Sequence, residues 1–533
     1  MFRALGLAVA ALCVVVRVRG VAAFGPTDFD DAYMFLRYAH NLRAGHGLCW
    51  NPAGPPVFGV TSLAHLLVVT ALEALLPMDG GRVLQVASLA MGLAAVLVLA
   101  LTCARFARHP RLRGNAGLWL ALLFPLVTLT DAFQFHVRSG MDTTLSLLAN
   151  ALVVFASLRF AERPSPRRAV VTALVSFAAV LARPDNLLVA ELVPLLLLWR
   201  AGGDRASART FAGLFAALLL VGLALARWRL GTALPLAFHA KQPGAYRGFA
   251  GEYTWNPYLF LEVFLTAALP FLAVLLVLVD RTRWRLVAAL LLPALLTFPV
   301  FFWVNQIMGH LGRFFFPFLP FFAVAAALLA DEALLRPALR PWRVAVAGVI
   351  IAAGGPALEA AGRRYEGRAR TQRLASLGGF AVAAKEPLPE LDSWQSSVEV
   401  ARLAAAAPAG TVFAMSEHGL VGARAPGAII VDVLGLHDRT FALHGFTAAE
   451  LWRRHPDVVW MPHPDHTQML RDILDSDELW AGYDFYPDAF TFGVALRRDA
   501  SPALRAHFDE RWKAVYATRA LDDHKARRQP LEP

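Results

Sequence analysis

The chain has 533 residues, 57% of them hydrophobic and only 17% charged, with a net charge of +11. Soluble domains are nearer half apolar and a quarter charged. The mean hydropathy of +0.49 therefore excludes an ordinary soluble enzyme and points to helices of bilayer-spanning length, about 17–25 residues each. The basic residues fall mainly in short loops between apolar runs, which excludes a nucleic-acid-binding stripe and matches the charge asymmetry of membrane proteins.

Leu5–Phe24 is apolar, but Arg17 and Arg19 interrupt its second half and it is long for the core of a signal peptide. It reads as a retained first transmembrane helix. Five arginine-rich loops follow along the chain: Arg105–Arg113, Arg159–Arg168, Arg200–Arg209, Arg281–Arg285 and Arg336–Arg343. Each lies between two apolar runs, so the charge rule places all five in the cytoplasm. The loops Gly25–Val60, Asp131–Asp142, Arg183–Asn186, Arg227–Asn256 and Val304–Arg313 then face outward. Thr61–Pro77 is apolar too, but a full crossing there would invert every later loop. It is read as a juxtamembrane or partly inserted helix. The expected fold is a polytopic α-helical membrane protein with about eleven spans over 1–359, the N-terminus inside, and an outer α/β domain over 360–533.

In that tail the apolar runs shorten. Thr411–Met415, Ala428–Val433, Val458–Met461 and Phe492–Leu496 have strand length, and Trp394–Ala406 and Ala448–Arg454 have helical periodicity. Cys13, Cys49 and Cys103 are scattered and imply neither a zinc site nor a disulfide framework. His463 and His466, in Met461-Pro462-His463-Pro464-Asp465-His466, read as part of a surface loop after a strand.

The chemistry-bearing residues fall on the outer ends of the expected helices. In the first outer loop, Asp28, Asp30 and Asp31 open a helix that Gly45 and Gly47 close. One aspartate suffices as a cap. A carboxylate pair beside a membrane is costly unless it is used, and a carboxylate can take the proton of an acceptor hydroxyl. Asp30 and Asp31 are the catalytic candidates. Arg37 is two helical turns beyond Asp30 and shares its face, so Asp30 is the expected base. Arg37, Asp142, His239, Lys241 and Arg313 are candidates for holding a donor sugar or its phosphate, since a phosphate leaving group needs cations. Asp142 and Asp185 could each bind a divalent cation, orient the donor sugar or pair with Arg138 or Arg183, and pairing is the expectation for Asp185. There is no P-loop or dinucleotide fingerprint.

The ordered set of these elements resembles a known family. Asp30-Asp31-Ala32-Tyr33, Arg37-Tyr38-Ala39, Asn41-Leu42, Gly45-His46-Gly47-Leu48, Asn51-Pro52 and Thr61-Ser62 resemble the first outer loop of GT-C-type glycosyltransferases. The terminal arabinofuranosyltransferases of the mycobacterial envelope and their bacterial relatives are the nearest in pattern. Ser139-Gly140-Met141-Asp142, Arg183-Pro184-Asp185, Gly312-Arg313-Phe314 with Pro317 and Pro320, and the Asp432–Asp438 element follow in the family's order. Phe58-Gly59-Val60 departs from it, standing where relatives carry an acidic residue, glycine and an aromatic.

The resemblance implies a periplasm-facing active site in a bacterial inner membrane. It implies inverting transfer from a polyprenyl-phosphate-linked sugar to an envelope glycan, lipid or protein, with Asp432 and Asp438 on the acceptor side. A divalent cation is the one cofactor left open. The competing readings are a transporter or flippase for a lipid-linked glycan, which calls for charges at helix midpoints and an inverted repeat, and an envelope assembly protein without catalysis.

Overall fold

The computed structural model describes residues 2–242, 256–279, 283–303, 310–335, 342–343, 345–354, 393–487 and 489–515. Most of the expected basic loop Arg336–Arg343 lies outside these residues, as does the basic tail Ala526-Arg527-Arg528.

The apolar runs form helices in chain order: α1 (Phe2–Ala23), α2 (Asp30–Arg43), α3 (Leu63–Leu75), α4 (Gly80–Phe106), α5 (Ala116–Thr128), α6 (Asp131–Ser139), α7 (Thr143–Glu162), α8 (Pro166–Ala182), α9 (Leu187–Arg200), α10 (Arg205–Leu230), α11 (Leu236–Ala240), α12 (Asn256–Leu278), α13 (Trp284–Trp303), α14 (Leu319–Leu334) and α15 (Ala345–Gly354). Many start where the sequence supplies a cap. Ser62, Asn115, Thr130 and Ser165 each accept from an amide of the first turn, which satisfies donors that a helix start leaves orphaned.

Among the described residues seven helical stretches are long and apolar enough to cross a bilayer, and an eighth is added if the bent pair α5–α6, which turns through 74°, counts as one span. The chain is thus a polytopic helical membrane protein. Ala116–Thr128, Pro166–Ala182 and Leu187–Arg200 have 13, 17 and 14 residues. Thr61–Pro77 forms the 13-residue helix α3.

The chain divides into two compact units. The first comprises residues 1–27, 61–223 and 252–372 and holds the helical bundle. Its core is a continuous apolar cluster in which Val96, Leu147, Phe264, Phe298 and Phe322 meet. The second joins residues 28–60 and 224–251 to 373–533. Residues 28–60 are therefore part of the same body as the C-terminal tail.

The second unit is built on a five-stranded sheet: β1 (Val412–Met415), β2 (Ile429–Asp432), β3 (Val458–Trp460), β4 (Tyr483–Tyr486) and β5 (Val494–Arg497), in the order β2-β1-β3-β5-β4. β1 runs parallel to β2 and β3, whereas β5 is antiparallel to both β3 and β4. Helices α16 (Ser393–Ala406), α17 (Gly419–Arg424), α18 (Arg439–His444), α19 (Ala448–Trp452), α20 (Thr467–Leu474), α21 (Asp477–Gly482) and α22 (Pro502–Val515) complete it. Four strands coincide with the apolar runs read from the sequence. β4 was not anticipated, because Tyr483-Asp484-Phe485-Tyr486 carries an acid within its short run. The chain leaves β1 toward β2 and returns on the other side of β1 as β3. The carboxyl ends of β1 and β3 thus flank a topological switch point, where open α/β sheets form ligand crevices.

Candidate functional site

The predicted residues divide between the two units. In the helical unit, three stretches far apart in sequence converge. Gly140 takes φ +70, and a Cβ there would strike Leu84, so only glycine makes the tight turn between α6 and α7. That turn delivers Asp142 to the start of α7, where it is 1% exposed. Arg313 Nη2 lies 3.4 Å and Arg183 Nη1 3.7 Å from Asp142 Oδ1. Arg183 also grips Asp185 at 2.7 Å, so of the two arginines open to Asp185 the structure takes Arg183, and both Arg183 and Arg313 lie against the Phe314 ring. Two histidines join the periphery: His65 Nε2 is 3.2 Å from the Gly140 carbonyl and His136 Nε2 3.1 Å from that of Leu311. Buried ionisable groups among spanning helices are expensive and mark ligand or ion pathways.

In the sheet unit, Asp30 and Arg37 do lie on one face of α2, and they grip the two ends of one short helix. Asp30 accepts from the amides of Gly419 (2.7 Å) and Leu420 (2.8 Å) at the start of α17. Arg37 donates to the carbonyls of Gly422 (2.6 Å) and Ala425 (3.2 Å) at its end, and to those of Trp50 and Ala428 and to Asn51 Oδ1. An anion at the amino end and a cation at the carboxyl end both complement the helix dipole. Gly419 and Gly422 allow the approach, since a Cβ at either would run into Asp30 or Arg37 and Trp50.

Other first-loop residues are also used in building. Asn41 holds the carbonyls of Cys49 and Trp50. Asn51 pairs with both the amide and the carbonyl of Ile430, which covers part of the open edge of β2.

The same packing gathers groups not singled out in the sequence. Ser416-Glu417-His418 follows β1 at the switch point, and Ser416 Oγ accepts from the His463 amide beyond β3 at 3.0 Å. Glu417 is partly exposed; burial, then Asp30 and Asp31, push its carboxyl up to about 8. Burial also raises Asp30, against the pull of His418 and the two amides. Asp31 is partly exposed beside them.

For His418, burial favours the neutral ring, but Asp432 and Asp30 outweigh it and the net shift is upward. His437 is held well below its usual range by burial and by His418. The signal that could have pointed here is an acid and a histidine between a strand-length apolar run and a glycine.

Asp432 ends β2, and its oxygens accept from the amides of Leu434 (2.9 Å) and His437 (2.7 Å), shaping the loop. Asp438 caps α18 through Thr440 and Phe441 and pairs with Arg454. His239 lines an open cavity of about 870 Å³ with Leu434, Phe441, Phe446, His466 and Gln468. Lys241 is half-buried and its backbone closes α11. His466, read as a surface-loop residue, is 5% exposed.

No family model matches the chain, and a search among curated proteins gives no match.

Proposed function

We propose that the chain is a membrane glycosyltransferase that moves a sugar from a polyprenyl-phosphate donor to a cell-envelope acceptor on the outer face of a bacterial inner membrane. The observation that carries the reading is the convergence of Asp142, Arg183 and Arg313. Three sequence elements that resemble the GT-C pattern only in their order, and that are separated by up to 171 residues, share one buried cluster. Two guanidinium groups there offer N–H donors in a water-poor setting that can turn to a departing phosphate, while Asp142 and Asp185 balance their charge until it arrives.

A partly exposed carboxylate supplies the base. Both Asp30 oxygens already serve α17, so its role is to position the helix, and Asp31 takes the acceptor proton. The cavity beside His239 is of a size for one or two sugar rings and suits the acceptor.

The single body formed by residues 28–60, 224–251 and 373–533 supports the eleven-span topology. Segments of one compact outer unit lie on one side of a membrane, so an even number of crossings must separate them. The eleven-span reading takes α4, the bent pair α5–α6, α7, α8, α9 and α10 as six crossings and α12–α15 as four. With α1 the total is eleven.

A lipid-linked glycan transporter is the second reading, because it too is served by buried charges among helices. One assay separates the two. The full-length protein is placed in vesicles with polyprenyl-phosphate donors, and an envelope extract serves as acceptor. Release of polyprenyl phosphate with labelled sugar in the acceptor supports transfer. Donor translocation without cleavage refutes it. Mass spectrometry of envelope glycans from a deletion strain identifies the sugar.

A further inference from the structure

Beside the carboxylates, two loops bring together a donor set that the proposed transfer chemistry does not use. His418 follows β1, Asp432 ends β2 and His437 lies in the loop after β2. All three are buried, and one donor atom from each lies within 4.8 Å of the other two. We propose that His418, Asp432 and His437 bind a divalent transition-metal ion, with zinc the best match to two imidazole nitrogens and one carboxylate oxygen.

Each member is arranged as a metal ligand would be. His418 Nδ1 donates to the Ser416 carbonyl at 2.7 Å. That bond fixes the ring, whose Nδ1 also lies 3.6 Å from Asp432 Oδ1, and Nε2 is the nitrogen left to take a cation, as where a ligating histidine spends its other nitrogen on a backbone carbonyl. His418 Nε2 is buried without a hydrogen-bond partner among the described residues, in a side chain only 2% exposed. A buried polar atom without a partner is costly, and a cation at that nitrogen removes the cost.

Asp432 is oriented by two backbone amides, yet each of its oxygens keeps a second lone pair. The His437 ring stacks on Trp50 at 4.0 Å and 11°, which sets its plane. Its Nδ1 is 3.1 Å from the Tyr38 hydroxyl and its Nε2 is 2.7 Å from Met34 Sδ, so a fourth donor is at hand whichever nitrogen binds. Two neutral imidazoles and one carboxylate leave a dication with a net charge of +1, and the Asp30 and Asp31 carboxylates act on the same site. The ion would tie the β1 loop to the β2 loop at the switch point. This inference does not depend on the glycosyltransferase reading.

The test uses full-length protein in detergent, purified through a tag without histidines, with metals counted by mass spectrometry. About one zinc per chain is expected. Stripping with EDTA should remove it, and zinc chloride alone should restore it and raise the unfolding temperature by roughly 5 °C. His418→Gln and His437→Gln should each bring the content below about a tenth of an ion per chain. His455→Gln, an exposed histidine outside the cluster, should leave it unchanged. If the wild-type protein holds no divalent metal and zinc does not shift its unfolding, the site is an ordinary hydrogen-bond network and the proposal fails. If His437→Gln keeps its zinc, the ligand set is wrong. The wild-type arms decide the matter even if a variant misfolds.

Discussion

Replacing Arg37 with Met removes a guanidinium that is 2% exposed and makes five hydrogen bonds. Three of the five acceptors keep another donor: Trp50 O has Asn41, Asn51 Oδ1 has the Ile430 amide, and Ala425 O has the Ala428 amide. Gly422 O is different. Four residues on stands Pro426, which has no N–H to offer. Ala428 O also loses Arg37. Two buried carbonyls stripped of this donor cost about 1–3 kcal/mol each, offset in part because a buried charge no longer has to be desolvated.

The net expectation is about 3 kcal/mol, or roughly a hundredfold, in the local opening of α17. Hydrogen-exchange mass spectrometry of the full-length protein in detergent reads this directly. Peptides covering 419–430 should lose about two decades of protection, whereas those covering α4 and α7 should not change. If Arg37 instead binds the donor phosphate, Arg37→Met will abolish transfer and leave exchange at 419–430 within a few-fold of wild type. That result would refute the clamp.

Three further outcomes are expected. Asp31→Asn should cut transfer at least a hundredfold, the lower range for losing a general base, with normal protein level. Asp30→Asn keeps one acceptor oxygen and should weaken protection at 419–420 more than it weakens turnover; a dead but fully protected Asp30→Asn would return the base to Asp30. Cysteines at Arg111 and Arg167 should be shielded from an impermeant thiol reagent in intact cells while one at Arg402 is labelled, and the reverse pattern would invert the topology.

Burial, then His463, holds the His466 ring down to about 3, against 6.5 for an exposed ring. Between those values the unfolded chain takes up a proton that the folded one refuses, so stability falls as pH falls. From pH 7 to 5 this amounts to about 2 kcal/mol. His466→Gln should lose that part of the acid sensitivity in thermal unfolding. An unchanged pH dependence would count against a neutral buried ring.

Strand-length apolar runs such as Ala428–Val433 were readable because a buried parallel strand has its own pattern. The shared face of Asp30 and Arg37 was readable from helical spacing. Their use was not, because the helix they hold is nearly four hundred residues downstream and no local pattern encodes a partner at that distance. Asp438, part of an element that resembles a binding motif, also caps α18, a use that local sequence alone does not separate from binding. Glu417 and His418 went unnoticed because a single acid and a single histidine carry no periodicity, and only the β1–β3 switch point gives them significance. The meeting of Asp142 with Arg183 is one of the pairings the sequence leaves open, but the arrival of Arg313 beside them is legible only as an order of motifs, since sequence order carries no distances.

The bonds from Asp30 to α17 span 389 residues. During synthesis α2 emerges early and its partner arrives nearly last. At about 5–20 residues per second the delay is roughly 20–80 s. Throughout it, the Asp30 carboxylate and the Arg37 guanidinium of a partly apolar helix have no α17 to grip. The growing chain must therefore shelter α2 for that interval, in lipid headgroups or with a folding helper. Truncation anywhere before about residue 430 would strand the helix permanently, so this chain's quality control is decided at its last segment rather than its first.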